Sequence, residues 1–260
     1  MPLRASDESG GGPAAAIAVE NLVKHFGDIR AVDRISFTVA QGSMTGLLGG
    51  NGAGKTTTIA ILLGLVVPTA GTVRVLGVDI AADRFRALAR MNFSSPYVNL
   101  PRRLSVRENL VVYGHLYGVA DLDRRIAELA RDLDLEPLMG RAVGTLSAGQ
   151  ATRVALAKAL INHPRVLLLD EPTASLDPDT ADWMRGYLDS YRRRSGASVL
   201  LASHNMTEVE RLCDDALIMK NGRIEASGAP AELIARYGRQ TLEEVFLAIA
   251  RADAAQPVSS

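Results

Sequence analysis

The stretch Gly49 to Thr57 reads GGNGAGKTT, and it decides the fold predicted for the whole chain. A short apolar run, Met44 to Leu48, precedes it, and the apolar segment Ile59 to Val67 follows it. A strand, a glycine-rich loop and a helix in this order are the local context of a phosphate-binding loop. The sequence therefore predicts that a nucleoside triphosphate binds here, although the stretch alone also fits an ordinary glycine turn before a helix.

Each residue type in the loop suits a triphosphate. Glycines let the backbone turn its N–H groups toward phosphate oxygens at the positive end of the next helix. Lys55 is expected to pair with the β and γ phosphates, and the Thr56 hydroxyl is expected to coordinate Mg²⁺. The predicted ATP-binding residues of the loop are Gly49, Gly50, Asn51, Gly52, Ala53, Gly54, Lys55, Thr56 and Thr57.

Composition narrows the class of protein. The chain has 260 residues, 47% of them hydrophobic, which is enough for a sizeable core. Lysine and arginine total 29 against 29 acidic residues, so no basic excess indicates a nucleic-acid partner. The single cysteine, Cys213, is expected to be a buried structural thiol, which is consistent with a reducing cytoplasm.

The N-terminal residues 1–16 are rich in Gly, Ala, Ser and Pro and have no long apolar core, so we predict a disordered leader there. The longest apolar candidate for a membrane span is Ile59 to Val67 with its flanks, but it is short and Pro68 ends it. We therefore expect that the chain does not cross a bilayer and works at a membrane only through another polypeptide.

Strand and helix patterns alternate along the chain. Ile17 to Leu22 and Ile35 to Val39 alternate apolar and polar residues as antiparallel strands do, and Phe26 lies between them, either in the core or on a base. Helical spacing of apolar residues occurs at 106–117, 122–133 and 148–161, which predicts a helical insert at about 92–163. Leu242, Val245, Phe246 and Ile249 share one face of a C-terminal helix, as a packed helix does.

Two carboxylates follow a very apolar strand. Asp170 and Glu171 come directly after Val166 to Leu169. Ionised side chains at the end of a buried parallel strand are costly unless a cation or a catalytic role compensates, and ligands bind at such ends. The pair is thus a candidate catalytic and metal site, and the alternative is that two ordinary polar residues begin a loop.

Further motifs follow in order: LSAGQ at Leu146 to Gln150, LLLDEP at Leu167 to Pro172, ASLD at Ala174 to Asp177, and Ser203 with His204 after the strand Val199 to Ala202. With GGNGAGKTT, they make the chain resemble the nucleotide-binding subunit of ATP-binding cassette (ABC) transporters from Ile17 to Gly228. The ending TLEEVFLAIAR is similar to those of cassettes that serve bacterial exporters.

The resemblance implies an α/β fold: a P-loop NTPase core with a parallel sheet, an antiparallel β subdomain and an inserted α-helical subdomain. It implies an ATPase domain at 17–228, and it leaves 229–260 as a C-terminal helical extension and tail. It also implies that Asp170 holds Mg²⁺ with Thr56, that Glu171 deprotonates the attacking water, that His204 contacts the γ phosphate and that Phe26 stacks on adenine.

In the family, the signature motif, which appears here as LSAGQ, caps the ATP of the opposite subunit. The resemblance therefore implies a homodimer or heterodimer around two MgATP, in which Ser147, Gly149 and Gln150 act in trans. It also implies that Asp177 lies at the dimer interface, and the alternative is that Asp177 is the N-cap of a helix that begins at Pro178. It implies a peripheral ATPase at the cytoplasmic face of the membrane that drives a separate multi-span permease, with export favoured over uptake. The alternative is a soluble ABC-type ATPase that acts on ribosomes or in cofactor assembly.

The sequence departs from the family pattern at one place. The family usually has a glutamine between the phosphate loop and the helical insert, which senses the γ phosphate and Mg²⁺. This chain has no glutamine from Gly42 to Gly149, and the corresponding stretch reads MNFSSPYVNLP, with Ser94, Ser95 or Pro96 at the equivalent place. This departure concerns the usual metal-sensing arrangement rather than the residues implied in hydrolysis. Ala148 in place of the more usual glycine is a milder change.

Overall fold

The computed structural model describes residues 15–95, 100–174 and 176–252. In chain order, its strands are β1 (Ala15–Phe26), β2 (Ile29–Ala40), β3 (Met44–Gly49), β4 (Ala70–Val75), β5 (Val78–Asp79), β6 (Met91–Ser94), β7 (Val166–Asp170), β8 (Ser198–Ser203), β9 (Asp215–Lys220) and β10 (Arg223–Gly228). Its α-helices are α1 (Lys55–Leu62), α2 (Ile80–Leu88), α3 (Val106–Leu116), α4 (Leu122–Asp132), α5 (Ala148–Leu160), α6 (Pro178–Ser195), α7 (Met206–Leu212), α8 (Pro230–Arg236) and α9 (Leu242–Ala252).

The strands form two sheets of different kind. Four of them make an antiparallel sheet in the order β2-β1-β4-β5. The other six follow the order β10-β9-β3-β8-β7-β6, in which every neighbouring pair is parallel except β10 with β9. Between β6 and β7 the chain forms α3, α4, α5 and two short 3₁₀ turns at Glu136–Leu138 and Val143–Thr145. The predicted mixed α/β architecture with its helical insertion is thereby confirmed.

The parallel strands are buried on both faces because each face contacts a separate apolar cluster. In β7, Leu167 and Leu169 belong to the cluster formed with α3 to α9, whereas Leu168 belongs to the cluster formed with α1 and the antiparallel sheet. This explains the unbroken apolar run in β7, since strands covered on both faces do not alternate with polar residues. The helical face predicted near the C-terminus packs on the first cluster, with Leu242, Val245 and Ile249 buried and Phe246 partly buried.

An ion pair and a backbone hydrogen bond join the two sheets. Arg223 of β10 places Nε and Nη2 each 2.6 Å from Oδ2 of Asp33 in β2, and the Asp33 N–H donates to the Gly222 carbonyl at 2.8 Å. The Asp33 carboxylate also contacts Arg30 of the same strand, with Nη1 3.0 Å from Oδ1. The Arg223 hydrogen bond is the main cause that lowers the pKa of the buried Asp33 carboxyl, with a smaller effect of the same sign from Arg30.

Several predicted boundaries differ from the observed ones. Strand β1 begins at Ala15, so Ala15 and Ala16, which the sequence assigns to the leader, belong to the antiparallel sheet: Ala15 pairs with Ala40, and the Ala16 carbonyl accepts from the Leu76 N–H at 2.8 Å. The rest of the leader, 1–14, and residues 253–260 lie outside the described residues. The insert was expected from residue 92, but Asn92 to Ser94 belong to β6. Met91 to Ser94 alternate apolar and polar residues, but this run of four is the shortest that indicates a strand, and its pairing with β7 places it in the sheet. Phe26 is the last residue of β1 rather than a loop residue.

Candidate active site

The glycine loop connects β3 to α1 through backbone that needs glycine. Gly54, immediately before α1, has φ +106°, and a Cβ there would lie 2.6 Å from the carbonyl oxygen of Ala31. No side chain caps the N-terminus of α1, and its first turn has no acidic residue. The positive end of the helix is therefore available to an anion supplied from outside the chain.

Lys55 begins α1, and its side chain lies in the loop. Its Nζ donates hydrogen bonds to the carbonyl oxygens of Gly49 at 2.6 Å and Gly50 at 3.2 Å. Burial lowers the pKa of Lys55, whereas the nearby carboxylates of Glu171 and Asp170 act in the opposite direction. The phosphate loop and the carboxylate pair are thus close enough to interact, although 115 positions separate Lys55 from Asp170 in the sequence.

An open cavity of about 520 Å³ lies over the loop. It is lined by Gly50 to Thr57, by Ile29, Arg30 and Ala31 of β2, and by Asn221. All predicted loop residues except Gly49 therefore face one cavity. Phe26 is not among the lining residues, but it pairs with Ile29 at the end of the β1–β2 hairpin, its ring is 48% exposed, and Lys24 Nζ lies 4.8 Å from the ring centroid.

Three adjacent parallel strands bring the predicted catalytic residues to one edge. Gly49 ends β3, Ser203 ends β8 and Asp170 ends β7, and these strands are neighbours in the sheet. Because the carboxyl ends of parallel strands meet at the same edge, the residues that follow them converge there. The structure thereby brings together Lys55, Asp170, Glu171 and His204.

The two carboxylates differ in environment. Asp170 is buried, and burial is the main cause that raises the pKa of its carboxyl, with a further increase from Glu171 and an opposing effect of Lys55. Glu171 has a left-handed backbone with φ +52°, and its N–H donates to the Ala202 carbonyl at 2.8 Å. Such a conformation costs a residue with a Cβ about 1–2 kcal/mol.

The Glu171 carboxylate has a neighbour on each oxygen. His204 Nδ1 lies 2.8 Å from Oε1, and the Ser203 hydroxyl lies 3.4 Å from Oε2. The His204 side chain is 67% exposed, whereas that of Glu171 is 14% exposed. A histidine at the surface is thus linked to a carboxylate that is largely shielded from water.

The signature residues lie on a different cavity. Ser147 is the N-cap of α5: its Oγ accepts from the Gln150 N–H at 3.3 Å, and the Ser147 N–H donates to Gln150 Oε1 at 3.1 Å. A second open cavity of about 520 Å³ is lined by Ser147, Ala148, Gly149 and Gln150 together with Asp177. It shares no lining residue with the phosphate-loop cavity.

Asp177 is the N-cap of α6. Its carboxylate accepts from the Thr180 N–H at 3.0 Å and from the Thr180 hydroxyl at 2.7 Å, and these bonds lower the pKa of Asp177. The N-cap alternative weighed for this residue is confirmed. The residue nevertheless lines the signature cavity, so the cap does not remove it from that surface.

The comparisons with known proteins agree with this geometry. The family model described as ABC transporter matches residues 32–174. The chain is 42% identical over 239 residues to the Nod factor export ATP-binding protein I of Paraburkholderia xenovorans, covering 90% of this chain and 77% of that protein. The chain belongs to the ABC transporter family. It is an ATP-binding cassette and an ATPase, as the sequence motifs predicted.

Solved structures of other cassettes have the same fold. A structure of the ATP-binding subunit of an ABC transporter superposes with a TM-score of 0.83 at 26% identity, covering 90% of this cassette and 99% of that chain. The structure of cbiO1 from Clostridium perfringens, part of an ABC transporter complex, gives a TM-score of 0.76 at 27% identity, with 92% and 96% covered. In the described part of the cassette, no helix has the length and apolarity needed to traverse a bilayer.

The segment that lacks the usual glutamine follows β6. Ser94 is the last residue of β6 and Ser95 is buried, whereas Pro96 lies outside the described residues. A buried lysine of α5 holds this strand: Lys158 Nζ lies 3.3 Å from Asn92 Oδ1 and 3.1 Å from the Phe93 carbonyl oxygen. The strand that leads to the altered segment is therefore fixed to α5 of the helical insertion.

Sequence reasoning did not identify every polar group at the site. Glu208 of α7 is 1% exposed and contacts Ser203 and Thr173 beside Glu171. Asn221, in the turn between β9 and β10, lines the phosphate-loop cavity. Glu208 follows Asn205 by three residues, a spacing typical of a helix start, so its sequence context indicated a cap rather than a role at the site.

Proposed function

We propose that this cassette hydrolyses MgATP at the edge formed by β3, β8 and β7, as one of two subunits that sandwich two nucleotides and drive a separate membrane permease in export. The observation that carries the proposal is the convergence of Lys55, Asp170, Glu171 and His204 at that edge. Phosphoryl transfer needs positioning and charge stabilisation, and this set supplies a cation, two carboxylates and an imidazole.

The donors available to Mg²⁺ are Thr56 and Asp170. A hydroxyl and a carboxylate are oxygen ligands of the kind that Mg²⁺ prefers, and the ion usually takes its remaining ligands from phosphate and water. Asp170 is buried beside a second carboxylate, a like-charge arrangement that a divalent cation relieves. The residues therefore fit the ion, which would neutralise charge on the β and γ phosphates when bound.

In the proposed reaction, Glu171 orients the attacking water and accepts its proton. Hydrogen-bond donors lie beside both oxygens of its shielded carboxylate, His204 Nδ1 at Oε1 and the Ser203 hydroxyl at Oε2, and they fix the orientation of the carboxylate. His204 contacts the γ phosphate and links it to Glu171. The loop from Gly49 to Thr57 holds the phosphates, and Phe26 at the hairpin end provides an exposed ring for the adenine base.

Two subunits are proposed because a single chain exposes two incomplete surfaces. The phosphate loop lies on one cavity, and Ser147, Gly149, Gln150 and Asp177 lie on the other, with no residue in common. In a head-to-tail pair of cassettes, the signature surface of one subunit closes over the nucleotide of its partner. Export through a multi-span permease, with the cassette at the cytoplasmic face of the membrane, is proposed from the name of a relative that is 42% identical over 239 residues, an export ATP-binding protein.

The base assignment is tested with Glu171→Gln, which keeps the size of the side chain and removes its basicity. We expect unchanged MgATP affinity and a fall in kcat of about 10²- to 10⁴-fold. The matched control is Glu225→Gln, at an exposed position of β10, which should leave kcat unchanged. Near wild-type turnover of Glu171→Gln contradicts the assignment.

The composite site is tested by mixing two inactive variants. Lys55→Ala removes the phosphate contact, and Ser147→Arg blocks the signature surface. A mixed dimer contains one site in which both surfaces are intact, so mixing should restore part of the ATPase activity. Complete absence of restoration, when the mixed dimer has been isolated with two different tags, contradicts a nucleotide shared between subunits.

The transport assignment is tested by purifying the tagged chain from gently solubilised membranes of its native cell. A multi-span protein recovered in stoichiometric amount supports a permease partner. Recovery of ribosomal or assembly proteins, with the chain found away from membranes, contradicts transport but leaves ATP hydrolysis standing.

A further inference from the structure

A buried carboxylate outside the sequence motifs lies behind Glu171. Glu208 of α7 is 1% exposed. Its Oε1 accepts from the Thr173 hydroxyl at 2.8 Å, and its Oε2 lies 3.0 Å from the Ser203 hydroxyl oxygen. That same hydroxyl oxygen lies 3.4 Å from Glu171 Oε2. One serine hydroxyl therefore bridges two carboxyl groups.

The hydrogen bonds around Ser203 indicate the protonation state of Glu208. The Ser203 oxygen also accepts from the Asn205 N–H at 3.0 Å, so it has three neighbours and only one proton to give. If both carboxyl groups are ionised, one of the two contacts lacks a proton. If Glu208 is protonated, it donates to Ser203, and Ser203 donates to Glu171. Every contact in the chain from Thr173 to Glu171 then has its proton.

The surroundings of Glu208 favour the protonated form. Burial is the largest cause that raises the pKa of Glu208, and the negative charge of Glu171 raises it further. The hydrogen bonds from Thr173 and Ser203 and the charge of Arg185 in α6 act in the opposite direction without reversing the shift. The thiol of Cys213 also faces Glu208. Burial, and to a smaller extent the Glu208 carboxyl, raises the pKa of this thiol, so Cys213 is neutral and offers no positive charge that would favour an ionised Glu208.

We propose that Glu208, as a neutral acid, is a positioning residue for the catalytic base Glu171 and acts through the Ser203 hydroxyl. With Ser203 donating to Oε2 and His204 beside Oε1, the Glu171 carboxylate is held on both oxygens. The inference rests on the proposed role of Glu171 in hydrolysis. It adds that the orientation of the base depends on an acid of α7, which reaches Glu171 only through the Ser203 hydroxyl.

Two substitutions at Glu208 separate the neutral acid from an anion. In Glu208→Gln, the amide can donate to Ser203 and accept from Thr173, so it reproduces the neutral acid without a charge. Glu208→Leu keeps a similar volume and removes both hydrogen bonds. We expect the Gln variant to keep kcat close to wild type and the Leu variant to lose at least about tenfold in kcat, because a displaced base loses its alignment with the water.

MgATP affinity and the urea unfolding midpoint are measured for each variant. An unchanged affinity with a lowered kcat indicates a misplaced base rather than a damaged binding site. If Glu208→Gln is as slow as Glu208→Leu, the neutral-acid role is overturned. Near wild-type kcat in Glu208→Leu overturns the positioning role altogether.

Ser203→Ala keeps the inference testable if Glu208→Leu does not fold. It removes the bridging hydroxyl and leaves Glu208 in place, and we expect the same fall in kcat. Wild-type kcat in Ser203→Ala overturns the inference. Glu171→Gln is assayed in parallel: if it is inactive while both Ser203→Ala and Glu208→Leu are active, only the positioning role fails, whereas an active Glu171→Gln overturns the base assignment and the inference together.

Discussion

Replacing Lys158 by methionine should stabilise the cassette in a way that depends on pH. Lys158 lies in α5, 8% exposed, and its Nζ contacts Asn92 Oδ1 and the Phe93 carbonyl oxygen. Its nearest rings are those of Tyr113 and Tyr117, with centroids 5.4 and 5.9 Å from Nζ. No carboxylate forms an ion pair with it among the contacts of the described residues.

The magnitude follows from the pKa of the side chain. Burial lowers the pKa of Lys158 from 10.5 to about 8. Below pH 8, the ammonium is charged in both the folded and the unfolded chain, and the folded chain bears the whole desolvation penalty. The difference of about 2.5 between the two pKa values corresponds to about 3 kcal/mol. Between pH 8 and 10.5 the unfolded chain binds more protons, so the stability of the wild type rises with pH over this range.

The assay is urea unfolding followed by the fluorescence of Trp183, the single tryptophan of the chain, at several pH values. At pH 7, Lys158→Met should gain about 1–3 kcal/mol in unfolding free energy, since lost hydrogen bonds of about 1 kcal/mol each offset part of the relieved penalty. This advantage should shrink as the pH rises from 8 to 10. The control is Lys24→Met, at a partly buried position. A difference between Lys158→Met and wild type that stays constant across this range refutes the reasoning.

Three other predictions concern different parts of the molecule. Gly54→Ala forces a Cβ into left-handed backbone and should weaken MgATP binding and lower stability by about 1–2 kcal/mol, whereas Gly186→Ala, with open space in α6, should not; titration calorimetry and thermal unfolding check both. The lowered pKa of Asp33 means that its pairing with Arg223 stabilises the fold above pH 3.8 and is lost as the pH falls through the lower folded-state value, so Asp33→Asn should show a smaller loss of stability on acidification in urea titrations. Burial raises the pKa of the Cys213 thiol, so it should react with Ellman's reagent at pH 8 only after unfolding, and rapid reaction of the native chain contradicts this.

Much of the fold could be predicted because its determinants are local. The loop from Gly49 to Thr57 contains the residues that shape it, and the helix start at Ser147 depends on Gln150 three positions later. The edge strand β6 was difficult to predict, because its alternation of apolar and polar residues covers only four positions and its partner β7 lies 75 positions away, as the pairing of Met91 with Val166 shows. Non-local pairing overrides weak local preference in such strands.

The edge with the proposed catalytic residues was predictable for a different reason. Its residues follow apolar strands, and ligands bind at the carboxyl ends of parallel strands, so the sequence order alone predicts their place. Glu208 escaped this rule because it belongs to a helix. Its partner Thr173 is 35 positions away, and only the packed structure brings the two side chains together.

At Glu171, the left-handed backbone makes the residue that is best for thermal stability different from the residue that is proposed for ATP turnover. Glycine reaches φ +52° without the Cβ penalty, so a chain selected in the laboratory for stability alone gains about 1 kcal/mol by placing glycine there. The same change removes the carboxylate that we propose as the base. Directed evolution toward a more heat-resistant cassette therefore needs a screen for ATP turnover in every round, since thermal selection on its own favours loss of the group at this position.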